Sequence, residues 1–206
     1  MNRTLFAVLL TGLLTSLGCE SNTPSATSGT PAVAPSTDNS KATAVVSADN
    51  AAPAVTLDIK NWDETLELVA QHKGKVVVLD VWSTSCTPCM DEFPHLVELH
   101  KQYGDKLVCM SANCDYLGIK SKPPETYRDR ALEFLTKQNA TFPNVLLNVE
   151  SEALFAQIDL ASIPAVYVFG ADGKVAKRFD NDNAKSGEDF SYAKDIVPFI
   201  EGLLAK

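Results

Sequence analysis

The 206-residue sequence has no basic run, no internal repeat and no glycine-rich loop that would cradle a phosphate. Lys and Arg number 18 against 26 Asp and Glu, for a formal net charge of −8. A phosphate backbone needs a basic face, so the charge argues against a nucleic-acid partner. The lone GADG at Gly170–Gly173 is a turn signal. Histidine is scarce, with three residues, and His95 and His100 stand five apart on one predicted helix, off a common face. They read as solvent-facing. A structural zinc site needs about four ligands, and Met90 is badly spaced to complete a copper site. No metal and no other cofactor is expected.

Long apolar runs are missing too, except at the start. Leu5–Leu17 is mostly apolar behind Arg3 and too short to span a bilayer as a permanent helix. Met1–Gly18 therefore reads as an export signal. It ends in TSLGC, with Gly18 before Cys19, which resembles a bacterial lipobox, although Ser16 stands where Leu is more usual. That resemblance implies cleavage before Cys19, lipidation of Cys19, and attachment to a bilayer outside the cytoplasm of a bacterium. From Glu20 to Pro53 there is no aromatic residue, and Ser, Thr, Ala, Pro and Asn dominate. Such a segment buries too little apolar surface to offset its ordering entropy, so residues 19–53 are expected to be a disordered tether. Residues 54–206 then form one domain of ordinary size.

Within the domain, the pattern predicts a short strand at Ala54–Ile59, then a helix with Trp62, Leu66 and Val69 at helical spacing, stopped by Gly74. KVVVLDVW is a nearly continuous apolar run, the mark of a strand buried on both faces. A helix follows the cysteines to Gly104, and KLVCMSA is a second buried strand. The next helix, TYRDRALEFLTKQNA, turns Tyr127, Ala131, Leu132 and Leu135 inward. A short extended piece and a short helix follow. AVYVFG and KVAKRFD flank Asp172-Gly173 as a hairpin. A last helix is expected to bend at Pro198. The order, βαβαβ, an insertion, then ββα, makes an α/β domain with helices covering a central sheet.

Two of the five cysteines, Cys86 and Cys89, lie three apart in VWSTSCTPCM. Two thiols so close can clip a metal, staple the chain or carry electrons. Cys86 falls at the end of a buried strand and the start of a helix, with Cys89 one turn on, within disulfide reach. A helix N-terminus stabilises a thiolate, which makes Cys86 the activated nucleophile. Pro88 sits in the first turn, where its missing N–H costs little. Asp80 breaks the apolar strand six residues before Cys86. It either makes a structural hydrogen bond or exchanges a proton with Cys89. Cys109 and Cys114 are expected to stay unbonded, because five extended steps span about 16 Å and a disulfide tolerates only about 4.4–6.8 Å between Cα atoms. Cys109 is expected in the core and Cys114 in a loop.

VLDVWSTSCTPC resembles the active-site segment of the thioredoxin superfamily. Asp80 and Trp82 stand where thioredoxins keep a buried Asp and a Trp, and Pro94 matches the proline that kinks their second helix. ASIPAVYVFGADGKV resembles the segment carrying the cis-proline, which implies a cis Ile163–Pro164 bond beside the cysteines. The resemblance is closest to the membrane-tethered extracytoplasmic branch typified by TlpA and ResA, with Thr126–Leu160 as an insertion before the cis-proline strand. Ser85 departs from it, replacing the usual Trp, and Asp80 is more typical of general thioredoxins. The resemblance implies a thioredoxin-like three-layer α/β fold with a central mixed sheet. It also implies a thiol-disulfide oxidoreductase in which Cys86 and Cys89 form a redox disulfide, and Asp80, Trp82, Pro88 and Pro164 support them. Partners would be protein disulfides and a membrane thiol reductant. Two alternatives stay open: a peroxiredoxin-like peroxidase, for which Thr84 lies two before Cys86, and a non-catalytic redox-sensing or binding module.

Overall fold

Val76–Trp82 (β2) is buried at every position, Asp80 included, as its nearly continuous apolar pattern predicts. It lies third from one edge of a six-stranded sheet. The other strands are Asp58–Lys60 (β1), Leu107–Asn113 (β3), Asn144–Leu147 (β4), Ala165–Phe169 (β5) and Val175–Asp180 (β6), in the order β1-β4-β3-β2-β5-β6. β1, β4, β3 and β2 run parallel; β5 and β6 are antiparallel to their neighbours, so the sheet is mixed. This computed structural model describes residues 53–183 and 189–205. The expected signal peptide, Cys19 and nearly all of the tether lie outside the described residues.

Side chains alternate across β2 and divide the core into two layers. Val78 and Trp82 meet the helices Thr87–Tyr103 (α2) and Glu125–Gln138 (α3) through Phe93, Leu96, Ala131 and Leu135. The C-terminal helix Val197–Leu204 (α5) joins them through Ile200. On the opposite face, Val77, Leu79 and Val81 meet Trp62 and Val69 of Trp62–Ala70 (α1) and Leu154 of Ser151–Gln157 (α4). The result is the expected three-layer thioredoxin-like fold. No helix among the described residues is long and apolar enough to cross a membrane.

Three expectations need correction. The first strand is shorter than Ala54–Ile59: it pairs with β4 over three residues only. The last helix is not one regular α-helix. A π-helical turn, Tyr192–Ile196, precedes it, and Pro198 opens α5, where an absent N–H is harmless. His100 is not solvent-facing: it is half-buried, with its ring 5.3 Å from that of Phe142 in an edge-on contact. The Asp172-Gly173 hairpin forms as predicted, with Gly173 at φ 78°.

Candidate active site

β2 ends at Trp82, and the chain turns through Ser83, Thr84 and Ser85 before α2 begins at Thr87. Cys86 is the N-cap of that helix, and its sulfur accepts the Cys89 backbone N–H at 3.2 Å. Cys86 and Cys89 are joined by a disulfide, with Cα atoms 5.3 Å apart. The two sulfurs are unequal. Cys86 is half-buried, whereas Cys89 is 1% exposed. Pro88 is exposed in the first helical turn, as predicted. Pro94 lies inside α2, which continues through it.

Trp82 is fully buried and supports the loop from below, its ring 5.0 Å from Phe93 and 4.9 Å from Phe134. The Ile163–Pro164 bond is cis, as the resemblance implied. Pro164 is buried and precedes Ala165, which pairs with Val81. The proline therefore faces the end of β2 from which the cysteine loop departs.

Asp80 projects from β2 on the Val78–Trp82 face, and Cys89 packs in the same cluster as those two residues. The Asp80 carboxyl and Cys89 thus share one layer. Asp80 Oδ2 accepts the Tyr192 hydroxyl at 2.6 Å, while Oδ1 is buried without a partner. Burial pushes the Asp80 carboxyl up to about 7, opposed by the Tyr192 hydrogen bond and reinforced by the nearby Glu92 charge.

A second carboxylate, which the sequence did not single out, holds the loop. Asp115 Oδ1 accepts the Ser83 hydroxyl at 2.5 Å and the Thr84 N–H at 2.8 Å, and Oδ2 accepts the Thr84 hydroxyl at 2.6 Å. Arg130 of α3 donates to the Thr84 carbonyl at 2.8 Å. Ser85 remains exposed, with its hydroxyl 2.8 Å from that of Ser83. The only sequence signal for this clamp is the Asp just beyond a buried strand that neighbours the cysteine strand.

Cys109 and Cys114 are free thiols, as expected. Cys114 lies in the loop just beyond β3, as expected, but it is not open to solvent. It is buried and donates to the Trp82 carbonyl at 3.3 Å. Burial pushes its thiol up to about 12, helped by the Asp115 charge, and pushes Cys109 higher still.

The Redoxin family model matches residues 47–197. This chain belongs to the Redoxin family. Among curated proteins, this redoxin is similar to the thioredoxin-like protein YneN of Bacillus subtilis, 28% identical over 103 residues that cover 50% of this chain and 55% of that one. It is also similar to the thiol-disulfide oxidoreductase ResA of Bacillus thuringiensis, 24% identical over 129 residues, 61% of this chain and 66% of the relative. The redoxin thus spans between about half and two thirds of the length of these relatives. A crystal structure of a thioredoxin-like superfamily protein superposes with a TM-score of 0.51 at 16% identity, over 67% of this chain and 85% of that one, a likeness of fold alone. Together these place the redoxin in the thioredoxin superfamily, with ResA-like relatives.

Proposed function

We propose that this redoxin is an extracytoplasmic thiol-disulfide oxidoreductase that reduces protein disulfides through Cys86 and Cys89. The observation that carries the reading is the Cys86–Cys89 disulfide at the α2 N-terminus, with the more exposed sulfur in the capping position. In the reduced protein, Cys86 as thiolate keeps the Cys89 N–H and the positive helix end. It attacks a partner disulfide, forming a mixed disulfide and releasing one partner thiolate. Cys89 gives its proton to Asp80 and attacks the Cys86 sulfur, which releases the second partner thiolate and leaves Cys86–Cys89 oxidised. Pro164 and its neighbours hold the substrate chain, and Trp82 and Pro88 stiffen the loop. The reducing direction is favoured because Thr87-Pro88 contains no His to stabilise a reduced thiolate. Cys19 lipidation would hold the domain at a bilayer, within reach of a membrane thiol protein that restores the dithiol.

The peroxidase alternative needs a threonine hydroxyl and an arginine free to meet peroxide. Here the Thr84 hydroxyl is committed to Asp115 and Arg130 donates to a loop carbonyl, which favours disulfide exchange. Insulin reduction by dithiothreitol is expected to accelerate with the domain, and the acceleration to be lost in Cys86→Ser. Cys89→Ala is expected to trap a covalent protein partner. Peroxide consumption at a comparable rate would favour the peroxidase, and absence of both activities the binding module.

A further inference from the structure

The hydroxyl that reaches Asp80 comes from a residue 112 positions away, on the C-terminal π-helical turn. Tyr192 is 1% exposed and is held on both sides. Its backbone N–H donates to Glu92 Oε2 of α2 at 3.0 Å, and its ring lies 6.3 Å from that of His95. Ser191 caps the turn by accepting the Lys194 N–H. The hydroxyl is thus delivered to one carboxylate oxygen by a fixed frame tied to the helix that carries both cysteines.

That placement separates the two oxygens of Asp80. Oδ2 is occupied, whereas Oδ1 is buried, unpartnered and on the face shared with Cys89. Among the described residues, the titratable groups around the carboxyl are Tyr192 from the turn, Glu92 and Cys89 from α2, and the thiols of Cys109 on β3 and Cys114 just beyond it. Its strand neighbours in register, Ser111 and Val166, add none. Glu92 and burial both oppose ionisation; among these groups the Tyr192 hydroxyl is the one that favours it.

Resting on the dithiol reading above, we infer that Tyr192 is a positioning residue for the resolving step: it reserves Oδ1 for the Cys89 proton and sets the pH at which Asp80 can take it. Asp80 acts as base only when ionised, so the resolving rate rises as pH passes its titration midpoint. A hydroxyl donating to a carboxylate stabilises the ionised form more than the neutral one. Removing it moves the midpoint upward.

The aryl disulfide dithiobis(nitrobenzoate) tests this. The reduced protein releases one coloured aryl thiolate when Cys86 forms the mixed disulfide, and a second when Cys89 resolves it. Two protein thiols are oxidised and one aryl disulfide is reduced to two thiolates. The second phase, followed against pH, reads the base. We expect Tyr192→Phe to raise its midpoint by about one to two pH units, and Tyr192→fluorotyrosine, a better donor of nearly the same size, to lower it. In an Asp80→Asn background the inflection is lost, and Tyr192→Phe adds nothing further. An unchanged midpoint in both Tyr192 variants overturns the inference. So does an equal effect of Tyr192→Phe with and without Asp80, which would reveal packing alone. Failure of the underlying reading looks different: no second thiolate from the wild-type protein, or an Asp80→Asn profile identical to wild type.

Discussion

Asp115 holds Thr84 twice, through its backbone N–H at 2.8 Å and its hydroxyl at 2.6 Å. With the Ser83 hydroxyl on the same carboxylate, three donors converge on one buried side chain. Asp115→Ala removes the partner of both buried Thr84 donors, while the Ser83 hydroxyl keeps that of Ser85. Each orphaned group costs on the order of 1–3 kcal/mol, with partial relief by relaxation. A loss of about 3 kcal/mol is expected in urea unfolding. The rate of Cys86 attack on a small aryl disulfide should fall as well, because the loop that presents the nucleophile loosens.

Asp80 predicts a pH-dependent stability. Its carboxyl titrates near 3.8 in the unfolded chain and near 7 in the fold. A raised carboxyl contributes stability that is fully present below the lower value and is lost as pH rises through the upper one. Asp80→Asn removes that loss while its side-chain oxygen can still accept from Tyr192. The stability advantage of the variant should grow between about pH 4 and 7, then level off at about 2–4 kcal/mol. Denaturant midpoints collected across that range check the sign, and a constant difference would contradict it.

The buried thiols should be silent. Cys109 and Cys114 are both pushed far above the ordinary thiol range, chiefly by burial. Iodoacetamide at about pH 8, near the ordinary thiol value, should label Cys86 in the reduced native protein and leave Cys109 and Cys114 untouched. Denaturation should expose both, as peptide mass spectrometry would read.

Asn144 anchors the edge of the sheet. Its amide donates to the carbonyls of Thr56, Ala140 and Phe142 and accepts from the Ser111 hydroxyl at 2.8 Å. Asn144→Ala strands several buried polar groups at once and should cost about 2–4 kcal/mol. Hydrogen exchange should accelerate first in β1, which pairs with β4 alone.

What the sequence made legible was local. The valine run of β2, the Asp-Gly hairpin and the Cys86–Cys89 spacing each state their own geometry within ten residues. Asp80 was conspicuous because a carboxylate in an apolar strand is costly. Its partner was not: nothing near Tyr192 marks a residue that closes on a strand 112 positions earlier. Asp115 was missed for the same reason, since it meets Ser83 and Thr84 only because β2 and β3 lie side by side in parallel register. The π-helical turn escaped because Pro198 drew the expected bend to itself, whereas the extra residue per turn lies before it.

The clamp on Thr84 and the helix cap at Cys86 leave Ser85 as the loop residue between them whose side chain faces outward. On the proposed reading, affinity for a partner and reactivity of the sulfur become separable variables. A new side chain at Ser85 can change which surfaces dock without moving the atom that reacts.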